Sequence, residues 1–243
     1  MVAVSWKTHG PIVGSLGLAG DGDDTALIMS VERAFDIRLA DDEVSRLRTV
    51  GELHDLVVSK LPRPMGSVCL AAHAFYRVRA GLGDGARRIG PRTAIDDLVR
   101  PVERRGLWRR LRESDGLDMP PLAVPRWLST VILALWPLMA LLGLLVPLFQ
   151  GGWSNRCVLG AAVGGLLFPL LAFGMTKPLA RELPVGTVDV GDLSRAVLAL
   201  NFGRLARESG SWREDGVWRA LAGVIGSEVS VVPERIGRRT RFI

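Results

Sequence analysis

"DDTALIMSVERAFDIRLADDEVSRLRTVGELHDLVVSKL", from Asp23 to Leu61, has an apolar spacing that decides what the chain can be. Leu27, Ile28, Val31, Ala34 and Phe35 recur at three- and four-residue steps, which predicts a helix with one apolar stripe. "FDIRLADDEVSRL" supplies an extended link and then a short helix, with Asp41, Asp42 and Glu43 suited to solvate and cap its start. Thr49 then caps a closing helix with apolar residues at Leu53, Leu56, Val57 and Leu61. His54 is read as facing away from that stripe. The expected fold class is all-α.

A long, a short and a closing helix in this order resemble helices two to four of acyl carrier proteins. These are small four-helix bundles that carry acyl chains on a phosphopantetheine arm. "LIMSVERAFDI" and "TVGEL" carry the likeness, within the 39 residues quoted. The family's first helix and long loop are not upstream. They are expected at the far end, in "VWRALAGVIGSEVSVVPERIGRRTRFI" (217–243), where Trp218, Leu221, Val224 and Ile225 make the stripe. There "VPERI" followed by T-x-F looks like the family's pattern after helix one. The resemblance thus implies a circularly permuted bundle split between the two ends of the chain.

The middle of the chain repeats these words. "RIGPRTAI" (88–95) echoes the terminal "RIGRRTRF" (235–242), and "TVDVGDLSRAVLALN" (187–201) echoes "TVGELHDLV" (49–57). "RRGLWRRLRESDGLDMP" (104–120) stands where the family has helix two. Two degraded copies support each other where either alone is weak. The expected organisation is therefore carrier-like helices two to four over 15–61 and the first part of a second unit over 67–120. A closing helix of that second unit is expected over 184–208, and the first helix and loop completing the N-terminal unit over 212–243.

Between these lie two uncharged runs. Residues 127–149, "WLSTVILALWPLMALLGLLVPLF", would make about 34 Å of helix, and 158–176, "VLGAAVGGLLFPLLAFGMT", about 28 Å, against a hydrocarbon core of about 30 Å. They are read as transmembrane helices 1 and 2 of a hairpin that interrupts the second unit. Gly160 and Gly164 form a GxxxG pair that lets helices approach closely. Basic flanks, Arg126 before the pair and Lys177 and Arg181 after it, put both termini in the cytoplasm of a two-pass bacterial inner-membrane protein. Cys69 and Cys157 would then lie in different compartments and could not pair. The amino-terminal residues show neither the basic region nor the apolar run of a signal peptide.

A carrier needs a serine at the start of helix two. Ungapped alignment puts Asp21 there and one gap puts Gly22 there, and neither has a hydroxyl; Ser15 is too early and Ser30 lies inside the helix. The second copy offers Pro101 or its neighbours. The resemblance therefore implies the fold and denies phosphopantetheine as a cofactor; no catalytic, cofactor-binding or metal-binding residue is assigned. Asp96 and Asp97 pair two carboxylates without a histidine to use them. His9, His54 and His73 are read as solvated or satisfied, and the two cysteines and three histidines share no metal-ligand spacing. "GLGDGARR" and "GLAGDGDD" lack the spacing that cradles phosphates. No enzyme is expected.

The net charge is +6, from 31 basic and 25 acidic residues, and it is unevenly spread. Asp21 to Lys60 holds ten acidic and five basic residues, net −5, whereas Arg77 to Glu113 holds five acidic and eleven basic, net +6. The basic tract suits membrane lipids beside the expected hairpin or an acidic surface on the same or another chain, including a homo-oligomer. Nucleic acid is not expected, since aromatic platforms and groove-reading motifs are lacking. The implied role is a non-carrying scaffold that recruits acyl- or lipid-handling enzymes, such as those of fatty-acid or polyketide synthesis. The alternative is a structural subunit of a membrane assembly unrelated to acyl chemistry.

Overall fold

A computed structural model of the chain describes residues 11–18, 22–66, 68–83, 88–125, 127–128, 130–135, 137, 141, 180–184, 186–229 and 231–243. The all-α class holds: among the described residues there is no strand, only isolated bridges. The helices are α1 (Asp23–Phe35), α2 (Asp41–Val44), α3 (Val50–Lys60), α4 (Leu70–Gly81), α5 (Ile95–Leu98), α6 (Arg104–Asp115), α7 (Val190–Leu200), α8 (Phe202–Ser209) and α9 (Glu214–Val229), followed by a 3₁₀ turn at Pro233–Arg235.

The chain forms two compact units. The first comprises Met1–Leu98, Leu107–Pro120 and Thr187–Ile243, and the second Val99–Gly106 and Pro121–Gly186. In the first unit α7 lies at the centre, against α4 on one side and α9 on the other, while α1 and α3 both pack on α9. The apolar stripes meet here: Leu27, Val31 and Phe35 of α1, Leu53 and Val57 of α3, and Leu221 and Ile225 of α9 are all buried. Burying a side chain of this size contributes about 1.5–3 kcal/mol.

The two ends of the chain are joined by backbone hydrogen bonds. Val13 N–H donates to Arg235 O (2.8 Å), Leu16 N–H to Arg241 O (2.8 Å) and Leu18 N–H to Phe242 O (3.1 Å), and Ser15 bridges Arg241 in parallel. Arg241 also bridges Thr49, so the terminal loop reaches the head of α3. There Val50 N–H donates to Thr240 O (3.0 Å) and Gly51 N–H to Arg238 O (2.9 Å), giving partners to donors that a helix start leaves open.

The same device recurs in the middle of the chain. Val190 N–H donates to Thr93 O (3.0 Å) and Gly191 N–H to Pro91 O (2.7 Å), and Ala94 bridges Asp189. Each docking loop closes on itself alike. Gly237 N–H donates to Thr240 Oγ1 and Gly90 N–H to Thr93 Oγ1, both at 3.0 Å. Each helix head is closed by a capping box, Thr49 with Glu52 and Asp189 with Asp192.

Constant shifts in numbering relate the two halves. A shift of 140 takes Leu53 and Val57 to Leu193 and Val197, and one of 80 takes Leu27 and Val31 to Leu107 and Leu111; all eight are buried. A shift of 147 takes Leu70, Ala74 and Val78 of α4 to Val217, Leu221 and Ile225 of α9, again all buried. The ends of α1 and α6 are alike too, with Asp36 (φ 51°) and Gly116 (φ 60°) both left-handed.

Among the described residues α8 has no counterpart in the first half. Asn201 breaks the helical run after α7, and its buried amide accepts from Asp118 N–H (2.8 Å) while donating to Asp118 O (2.8 Å) and Val197 O (2.7 Å). The run expected as one closing helix over 184–208 is thus two. α8 then lies against the end of α1, where Phe202 meets Phe35 at 5.2 Å between ring centroids. Arg207 completes the seam by holding the Asp36 carbonyl and, at 2.5 Å, its carboxylate.

In the second unit Ala123 and Glu182 form an antiparallel bridge, and the half-buried segment is tied by Arg104, whose guanidinium donates to Arg181 O at 3.1 Å. The expectations of a transmembrane hairpin and of a two-pass inner-membrane location are corrected here. Among the described residues no helix is long and apolar enough to cross a membrane. Most of 127–149 and all of 158–176, with Gly160, Gly164 and Cys157, lie outside the described residues. An uncharged run is a condition for a span; a span also needs one unbroken helix of about 20 residues.

Candidate functional site

The start of α1 is where a carrier would bear its arm. Gly22 is the N-cap, with no side-chain hydrogen bond, and Asp21 lies outside the described residues. Ser15 is engaged near the chain's junction, its Oγ accepting from Gly17 N–H at 3.0 Å, and Ser30 donates to Glu228 at 2.7 Å. Beside Gly22 is a groove of about 250 Å³ between Leu16–Leu18, Asp23, Ala26 and the end of α9. That is below the roughly 300–1,000 Å³ of small-molecule sites. Pro101, the equivalent in the second half, sits in a turn with no hydroxyl beside it in sequence.

A polar cluster surrounds His54, and it corrects the expectation for that residue. His54 belongs to the buried stripe with Val50, Leu53 and Val57, and is fully buried. Its Nδ1 lies 3.0 Å from Asp55 Oδ1, so the carboxylate accepts from Nδ1–H. Arg238, arriving from the terminal loop, pairs with the same carboxylate, approaches the imidazole at 3.4 Å and lies 5.9 Å from the Trp218 ring. Trp218 stands edge-on to His54 at 5.6 Å. His54 Nε2 is buried without a hydrogen bond. At the equivalent place in the second half Ser194 closes on Val190 O (2.6 Å), and Pro91 replaces Arg238. The fold can therefore be built without this cluster.

The hydrogen bond from His54, and then Arg238, lowers the Asp55 pKa below its ordinary 3.8; Lys60 and the Ala40 amide lower that of Glu43 below 4.5. A carboxylate with a depressed folded pKa adds stability that is complete above its unfolded value and is lost as pH falls through the folded one. Stability should thus decline on acidification from about pH 4 downward. In thermal melts across that range, Asp55→Asn should flatten the decline; an unchanged slope would remove Asp55 from the account.

The remaining sequence candidates are scattered. Asp41 and Asp42 are exposed at the first turn of α2, where Glu43 accepts from Ala40 N–H (3.1 Å) and pairs with Lys60 at 2.7 Å. Asp96 and Asp97 lie in α5. His73 Nε2 is 4.0 Å from Glu208, which Arg77 (2.6 Å) and Arg204 (3.6 Å) also hold, knitting α4 to α8. Cys69 is free and exposed, and His9 lies outside the described residues. Among the described residues no group of three or more potential ligands could hold a metal.

The last part of the basic tract, from Arg104, lies in α6. Leu107, Trp108 and Leu111 face inward, and the Trp108 indole donates to Pro120 O at 2.8 Å. Arg109 and Arg112 are exposed on the other side. No known protein family, curated protein or solved structure matches this chain.

Proposed function

We propose that the chain is a non-carrying, acyl-carrier-like interaction protein that recruits acyl- or lipid-handling enzymes by shape and charge and performs no chemistry of its own. In this reading α9, the terminal loop, α1, α2 and α3 are the family's four-helix unit in permuted order, and α4, α6 and α7 are a second, modified unit. The observation that carries it is the hydrogen-bonded join of Val13, Leu16 and Leu18 to the terminal loop, upstream of α1 with Gly22 at its head. Neither Asp21 nor Gly22 has a hydroxyl for the arm.

Incubation with a phosphopantetheinyl transferase and coenzyme A, followed by intact-mass measurement, should leave the mass unchanged. An added arm on any hydroxyl would refute the non-carrying reading. Affinity capture with the full chain should enrich fatty-acid or polyketide enzymes; a single partner from outside acyl metabolism would favour an assembly subunit instead.

A further inference from the structure

Two halves with matching cores differ on their surfaces, and the difference is largely one of charge. Under the shift of 80, Met29 and Glu32 of α1 become Arg109 and Arg112 of α6, while the buried leucines and valine beneath keep their apolar character. The fold does not require those arginines.

The complementary charge lies on the other half. α2 exposes Asp41 and Asp42, within the stretch of net −5 that contrasts with the +6 of residues 77–113. We propose that the exposed arginine side of α6, with Arg109 and Arg112, docks on the acidic α2 of a second copy of this chain. Opposite signs steer the encounter, and a two-fold axis makes the contact twice and closes the pair. This goes beyond enzyme recruitment and is independent of it, because it is read on the purified chain alone.

Sedimentation velocity of the full chain should show a dimer at about 50 mM NaCl whose dissociation constant rises at least about tenfold by about 500 mM. Arg109→Glu with Arg112→Glu should abolish it, as should Asp41→Lys with Asp42→Lys, whereas all four changes together should restore it. Far-ultraviolet circular dichroism serves as the folding control for these exposed positions. A monomer at low salt, a salt-insensitive dimer, or a charge-reversed pair that still associates would each overturn the proposal. Any of these results leaves enzyme capture by the monomer unaffected.

Discussion

Gly203→Ala should destabilise the first unit by about 3 kcal/mol or more, the largest single-residue effect expected in this chain. A Cβ there would stand 1.7 Å from the carbonyl oxygen of Phe35 and 2.1 Å from its carbonyl carbon. Both are backbone atoms at the end of α1, so no rotamer change can relieve the clash. Either α8 retreats, separating Phe202 from Phe35, or α1 loses its last turn and the Arg207 seam with it. In a domain of this size the melting temperature should fall by about 10 °C. Gly14→Ala is the control, because nothing lies within 4 Å of its Cβ position; it should change stability by less than about 0.5 kcal/mol. Equal melting temperatures for the two variants would show that α8 does not sit on α1 as described.

The second large effect comes as a pair. Gly51→Ala and Gly191→Ala should each cost about 2 kcal/mol. Their Cβ atoms would meet Arg238 O at 2.7 Å and Pro91 O at 2.9 Å, the very carbonyls that accept from the two glycine amides. Each substitution pushes a docking loop off a helix head and strands the donors there. Urea unfolding should report similar losses, within about 0.5 kcal/mol of each other, if the halves are built alike. A loss at one glycine alone would mean that only one loop is held in this way.

How far the sequence disclosed this arrangement depends on which force fixes each part. The repeated "RIG" and "RT" words are visible because both turns are closed by the same hydrogen bond, from the glycine amide to the threonine hydroxyl three residues on. The stripes of α1, α3 and α7 were legible because burial repeats with the helical period. His54 was misread although its position gave it away: with Val50, Leu53 and Val57 it completes an i, i+3, i+4, i+7 set. Its polarity argued for solvent, and the groups that receive it, Asp55 next door and Arg238 from 184 positions later, could not be read from local pattern. The break at Asn201 was hidden for a related reason, since two of the three backbone groups its amide satisfies belong to Asp118, 83 positions earlier. Uncharged runs, finally, report hydropathy over a window, and no helix among the described residues is long and apolar enough to cross a membrane.

Joining the beginning of the chain to residues 235–242 has a consequence for biosynthesis. On the ribosome, the segment from Asp23 to Lys60 is made well before the helices that cover its greasy side, α7, α8 and α9, which begin only at Val190. Closure over so long a loop is slow and leaves nascent material open to misassembly. A chaperone-depleted translation system should therefore lose yield from this protein, whereas a rearranged gene starting at α4, with Ile243 linked to Pro11, would bring α1 and α3 nearer in sequence to α8 and α9.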